Sequence, residues 1–136
     1  MFEISTKLSR RLKGLSHKSA QIGPNDRAAF WDYCVRAESG VWHRSRRNKL
    51  PCNIDRYFID ELLVDQRWRC AVSGVALHPP GSPGKFKRHP FSPSIDRIIP
   101  DEGYVRVNCR IVCLMVNSAI NEWGLDNFLK LVEEMR

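Results

Sequence analysis

The sequence predicts a single α+β domain, and three observations support this class. Apolar residues recur at helical spacing in several segments of the first half of the chain and again near its end. Between them, two short segments rich in β-branched residues flank a glycine turn, which is typical of a β-hairpin. A run without helix breakers follows directly. A chain of 136 residues buries one hydrophobic core but leaves little room for a second domain.

Three amphipathic helices are predicted in a basic N-terminal part, residues 1–67. The first has apolar residues at helical spacing, namely Ile4, Leu8, Leu12 and Leu15. The second, in "GPNDRAAFWDYCVRAESG", has Pro and Asn/Asp at its start and is expected to end at Gly40. The third is expected to begin at Asn53 as capping residue, with an apolar face formed by Ile54, Phe58 and Leu62.

Residues 68–124 contain the predicted hairpin and the helix after it. The segment "PSIDRIIP" is β-branched and bounded by prolines, "DEGY" supplies a turn, and "VRV" has the alternation of a second strand. From Asn108 onward, "NCRIVCLMVNSAINEW" has no breaker and predicts a helix. Gly124 separates this run from a closing amphipathic helix in residues 125–136. The Pro- and Gly-rich "HPPGSPGK" before the hairpin predicts a loop.

The sequence argues against two classes of protein, namely membrane-spanning proteins and exported proteins with disulfides. No apolar run approaches the roughly 20 residues that a membrane-spanning helix needs, so no membrane partner is expected. The five cysteines are odd in number and scattered, and no export signal precedes them. Reduced thiols in a cytoplasmic protein are therefore expected rather than disulfides.

The net charge of +7 lies entirely in the first third of the chain. Residues 1–50 hold 11 Lys and Arg against 4 Asp and Glu, whereas residues 51–136 hold 11 of each. Localised positive charge is typical of proteins that neutralise phosphate backbones, and DNA is the expected partner. The alternative is a solvated basic face without a dedicated partner. The residues expected to contact nucleic acid are Arg10, Arg11, Lys13, Arg44, Arg46, Arg47 and Lys49.

A carboxylate and an amide are expected to converge where the helix packs back across the hairpin. Asp96 falls in the first predicted strand and Asn117 in the predicted helix, with Asn121 four residues further on the same helical face. Oxygen ligands of this kind suit Mg²⁺ or Mn²⁺, which keep water and phosphate oxygens in the rest of their shell. The alternative is that these residues are exposed or cap elements.

The stretch "CAVSG" followed by "PSIDRIIPDEGYVRVNCRIVCLMVN" resembles the HNH, or His-Me finger, endonucleases, in particular small phage and bacterial members with the pattern SxDRI…GY…N…VC…N. The resemblance covers about residues 68–124. It implies a ββα-metal finger and metal-dependent hydrolysis of phosphodiester bonds in DNA, in a bacterium or a phage-infected host. It also implies that Asp96 and Asn117 bind the metal and that Asn108 braces the loop against the start of the helix.

Arg97 stands where the resembled family has its general-base histidine. A guanidinium stays protonated and cannot accept a proton from water. Three alternatives follow: the base lies elsewhere, with His89 the nearest candidate and His78 a poorer one; the metal supplies hydroxide; or the protein binds DNA without cutting it. Arg97 itself could clamp the scissile phosphate, or form a surface salt bridge with Asp101 or Glu102.

The paired CxxC knuckles that hold zinc in many members of that family are incomplete here. Cys70 is followed at the matching position by Ser73, and Cys113 by Val116. A structural zinc ion needs four ligands, so no zinc is expected. These cysteines are predicted to be small buried apolar residues instead.

Overall fold

Four α-helices and one two-stranded antiparallel sheet make up the part of the chain that the computed structural model describes, residues 20–81 and 87–135. The predicted α+β class is confirmed. The first predicted helix, with Arg10, Arg11 and Lys13, lies outside the described residues. In chain order the elements are α1 (Pro24–Asn48), α2 (Arg56–Asp65), β1 (Pro93–Arg97), β2 (Cys109–Cys113), α3 (Leu114–Ile120) and α4 (Gly124–Glu134).

Helix α1 is longer than predicted, because Gly40 does not end it. The helix continues for two more turns, to Asn48, since the residues after the glycine extend the buried face of the helix. Burial of that face outweighs the cost of about 1 kcal/mol that a glycine adds inside a helix. The buried side chains of α1 are Phe30, Cys34, Val41 and Ser45. Arg44, Arg46 and Arg47 therefore lie on the last turns of α1, where positive charge interacts favourably with the helix dipole.

Helix α2 is capped by Asp55 and not by the predicted Asn53. The Asp55 carboxylate accepts a hydrogen bond from the backbone N–H of Phe58 at 2.8 Å. Asn53 lies two residues too early for this role; its Oδ1 accepts a hydrogen bond from the N–H of Arg106 at 2.9 Å. Its side chain thus ties the N-terminal part to the hairpin loop rather than to a helix.

The second strand is β2, and the prediction for residues 105–113 was wrong in two respects. Strand β1 pairs with Cys109–Cys113, while "VRV" leads into a short 3-10 turn at Arg106–Asn108. The helix predicted from Asn108 begins only at Leu114. The reason is tertiary: Ile111 and Val112 are fully buried, and their β-branched side chains pack in a sheet whether or not a breaker follows.

Asn108 braces the loop between the two strands. It is 3% exposed, and its Oδ1 accepts the N–H of Ile99 at 2.9 Å. Its Nδ2 donates to the carbonyls of Ile99 at 2.9 Å and Gly103 at 2.7 Å. The brace therefore closes the loop on itself, whereas the sequence predicted a contact with the start of a helix. Gly103 has φ 77°, and a Cβ there would lie 2.4 Å from the Pro51 carbonyl oxygen, so only glycine fits.

Helix α3 ends one residue before Asn121. Asn121 has φ 37° and ψ −131° and is exposed, so it does not share a helical face with Asn117 as predicted. The predicted closing helix is present as α4, and Gly124, with φ 82°, begins it. The partly buried Leu125 and Phe128 pack this helix against the core.

One cluster of buried side chains joins the N-terminal helices to the hairpin. Phe30 of α1, Ile59 and Leu63 of α2, and Ile111 and Val112 of β2 are all fully buried within it. The five cysteines are free thiols. Within residues 20–81 and 87–135, no helix is long and apolar enough to cross a membrane.

Candidate functional site

A cleft of about 700 Å³ opens between helix α1 and the hairpin. One wall is a face of α1, because its lining residues recur every three or four positions: Tyr33, Arg36, Ala37, Gly40 and Arg44. The other wall comes from residues 78–81 and 87–89, and the floor from residues 92–95 and Asn117. The cleft thus joins parts of the chain that are up to 84 residues apart, from Tyr33 to Asn117.

The cleft is positively charged. Four cationic side chains and two histidines line it, and no Asp or Glu is among its described lining residues. The cationic residues are Arg36, Arg44, Lys87 and Arg88. Burial raises the pKa of the Tyr33 phenol on the same wall, so this group stays neutral and does not offset the charge. A concave surface with one sign of charge concentrates anions, and polyanions in particular.

Arg44 is held in place by Tyr104. Its Nε donates to the Tyr104 hydroxyl at 3.1 Å, and its guanidinium lies over the ring, 5.5 Å from the centroid. To reach there, the side chain passes over Gly40, where a Cβ would lie 3.1 Å from Arg44 Nη1. The predicted phosphate clamp Arg97 also lies over Tyr104, at 5.0 Å, and donates to the Pro100 carbonyl at 3.1 Å. Arg97 is not among the lining residues.

Asn117 lies on the floor of the cleft because α3 packs against β1. Its Nδ2 donates to Ser94 Oγ at 2.7 Å and to the Ile95 carbonyl at 3.4 Å. These two bonds orient the amide and leave Oδ1 as its acceptor for a ligand. Of the three predicted oxygen ligands, Asn117 is the one that lines the cleft.

Asp96 is engaged elsewhere. It faces Arg110 across the sheet, and the two form an ion pair with Arg110 Nε 2.8 Å from Asp96 Oδ2. Their side chains are only 12% and 14% exposed, and neither lines the cleft. Of the predicted ligands, Asn117 thus lines the cleft, whereas Asp96 is paired with Arg110 and Asn121 is exposed beyond the end of α3.

Two histidines stack on the wall opposite α1. The rings of His78 and His89 are parallel within 5°, with centroids 3.8 Å apart. Desolvation, and then the neighbouring His78, lower the pKa of His89. His89, the nearest predicted candidate for a base, thus lies in the cleft, but so does His78.

Several lining residues were not found from the sequence. Arg36 lies eight residues before Arg44 and shares its helical face only because α1 continues past Gly40. The basic run "KFKRH" before the hairpin could have indicated two further lining residues, since it contains Lys87 and Arg88. The predicted contacts Arg46, Arg47 and Lys49 are exposed at the end of α1 and are not lining residues.

The residues that match the incomplete zinc knuckles do come together. Cys70 and Cys113 are both buried, and besides burial itself the neighbouring Cys70 contributes to the raised pKa of the Cys113 thiol. The N–H of Ser73 donates to Cys70 Sγ at 3.5 Å. Burial raises the pKa of the Cys113 thiol, which keeps it protonated and unreactive.

No family model, curated protein or solved structure matches the chain.

Proposed function

We propose that the protein is a metal-dependent endonuclease that hydrolyses phosphodiester bonds in DNA, built on a ββα finger of the HNH type. One observation carries this proposal: the side chains suited to phosphate binding, proton transfer and orientation of a ligand line a single cleft. The hairpin followed by α3, and the loop braced by Asn108, also support it.

The cationic residues of the cleft bind the DNA backbone in this proposal. Each phosphate that Lys or Arg neutralises releases counterions, which favours binding and makes it sensitive to salt. Arg44 is oriented before DNA arrives, because Tyr104 holds its guanidinium. A donor fixed in advance stabilises developing charge on a phosphate at little cost of reorganisation.

Mg²⁺ or Mn²⁺, when bound, would polarise the phosphodiester and stabilise the departing oxyanion. Asn117 would contribute its Oδ1, which the bonds to Ser94 and Ile95 leave available. Binding of the metal by Asp96 as a second ligand stays a prediction. The Asp96 carboxylate is already paired with Arg110, whose positive charge neutralises it.

A second candidate function is DNA binding without hydrolysis, on a scaffold that has lost its base. The position of Arg97 favours it, since the residue that stands where the resembled family has its histidine lies over the ring of Tyr104 and does not itself line the cleft. The cleft would bind the backbone in the same way under both candidates. The two candidates differ only in whether the bound DNA is hydrolysed.

The decisive experiment compares cleavage and binding in matched arginine variants. Supercoiled plasmid is incubated with wild type in Mg²⁺, Mn²⁺ or EDTA, and affinity for a DNA duplex is measured over a salt series. Arg36→Gln and Arg47→Gln each remove one exposed charge from α1, but only Arg36 lines the cleft. We expect metal-dependent cleavage by wild type, and a salt dependence reduced by about one unit of slope in Arg36→Gln alone.

The other outcomes discriminate between the candidates. Binding without cleavage under every metal condition selects the non-catalytic candidate. An equal loss in Arg36→Gln and Arg47→Gln would restore the basic end of α1 as the DNA contact. Absence of binding by wild type would contradict both candidates.

A further inference from the structure

We propose that His78 is the general base of this site, with Nε2 as the atom that accepts a proton from the attacking water, and that His89 positions it. This inference rests on the proposed hydrolytic function. It reverses the order expected from the sequence, in which His89 was the nearer candidate. The hydrogen bonds of the two rings carry the argument.

The backbone carbonyl of Pro79 determines which ring nitrogen of His78 carries the proton. Nδ1 of His78 lies 3.1 Å from the carbonyl oxygen of Pro79. A carbonyl only accepts hydrogen bonds, so Nδ1 must carry the proton. In the neutral ring the lone pair is then on Nε2. A histidine whose Nδ1–H is held by a backbone carbonyl while Nε2 stays open is arranged to take up a proton.

His89 has the opposite tautomer. Its Nδ1 accepts a hydrogen bond from the backbone N–H of Phe91 at 3.0 Å, so that atom carries no proton. The neutral ring therefore has its proton on Nε2, and its one lone pair is already used. His89 has no atom left to act as base without breaking the turn to Phe91. Its parallel stack on His78 at 3.8 Å fixes the plane of the His78 ring.

The proton transfer balances without a further reactant. Water attacks phosphorus as its proton passes to His78 Nε2, so an O–P bond forms and the ring becomes imidazolium. The bond between phosphorus and the leaving oxygen breaks, and its electron pair stays on that oxygen, which takes a proton from solvent. The imidazolium then returns its proton to solvent. The products are a phosphomonoester and an alcohol.

The test applies one substitution at two stacked positions. His78→Gln and His89→Gln are compared with wild type for cleavage of plasmid, at equal saturation with DNA. Since a positioned general base contributes about 10²–10⁴-fold, His78→Gln should lose at least about a hundredfold in rate with its DNA affinity retained. His89→Gln should lose less activity than His78→Gln, because only the positioning of His78 is disturbed. Circular dichroism confirms that each variant is folded.

Chemical rescue distinguishes a lost base from a disturbed fold. Added imidazole should restore part of the activity of His78→Ala and should not change that of wild type. Equal losses in the two glutamine variants, or a larger loss in His89→Gln, would overturn the assignment.

The tautomers are measured independently of activity. Ring ¹⁵N shifts in wild type should show the proton of His78 on Nδ1 and that of His89 on Nε2. The reverse pattern would overturn the inference even in an active enzyme. A wild type that cleaves nothing but has the expected tautomers would remove the proposed hydrolysis, and with it the proton transfer, while leaving the assignment of the protons intact.

Discussion

Ser94 and Asp96 lie on the same face of strand β1, because side chains alternate along a strand, but their surroundings differ. Ser94 lines the cleft and accepts a hydrogen bond from Asn117. Asp96 is nearly buried and forms an ion pair with Arg110. One short motif therefore supplies both a contact in the candidate site and a contact that holds the sheet together. The role of each polar residue in this segment is therefore set by the side chain that it contacts.

The largest effect is expected when the Asp96–Arg110 pair is broken. Either Asp96→Asn or Arg110→Met leaves a buried charge without its partner, which should lower the free energy of unfolding by about 3 kcal/mol. The double variant should recover much of this loss, because no unpaired charge remains. Urea denaturation of the four proteins completes the cycle.

An exposed ion pair provides the control. Glu61 and Arg106 are 66% and 55% exposed and 3.9 Å apart, so Glu61→Gln should change the free energy of unfolding by less than about 0.5 kcal/mol. Losses of the same size at Asp96 would contradict the structural role of its pair. If Asp96 also binds metal, Asp96→Asn alone should lose metal-dependent cleavage at a temperature where both single variants remain folded.

A smaller effect on stability, but a larger one on function, is expected when the contact between Asn117 and Ser94 is removed. Asn117→Ala removes the hydrogen bond to Ser94, which should lower the free energy of unfolding by about 1 kcal/mol. It also removes the Oδ1 acceptor from the floor of the cleft, so cleavage should be lost. Thermal unfolding and plasmid cleavage are measured on the same preparation. A stability loss matching that of Asp96→Asn, with cleavage unchanged, would contradict the different roles given to the surroundings of Ser94 and Asp96.

The local parts of the hairpin could be predicted from the sequence. The prolines and β-branched residues of β1 and the glycine of the turn encode their structure within a few residues, and Gly103 is required by its own φ. Strand β2 could not be found in this way, because it forms only by pairing with β1 and no breaker separates it from α3. The same error concealed the ion pair of Asp96. In a helix from Asn108, Arg110 would not face that carboxylate.

The cleft was harder to predict because it is built from distant segments. Arg36 and Arg44 share a wall only in a helix that continues past Gly40, and that continuation depends on core contacts of Val41. The choice between His78 and His89 depends on which backbone group each ring meets. Neither the continuation of α1 past Gly40 nor the backbone partners of the two histidines can be deduced from residue type or spacing.

At position 40, the stability of helix α1 and the orientation of Arg44 favour different residues. A glycine inside a helix is less favourable than alanine by about 1 kcal/mol, so Gly40→Ala should raise the free energy of unfolding by up to that amount. The new methyl group would lie 3.1 Å from Arg44 Nη1, so the guanidinium must give way by a few tenths of an ångström, which disturbs its contact with Tyr104. A urea titration and a DNA titration of this variant should therefore change in opposite directions, whereas Ala37→Gly on the same wall should only lose stability. Selection for a more stable protein would remove this glycine, and selection for a fixed arginine would keep it.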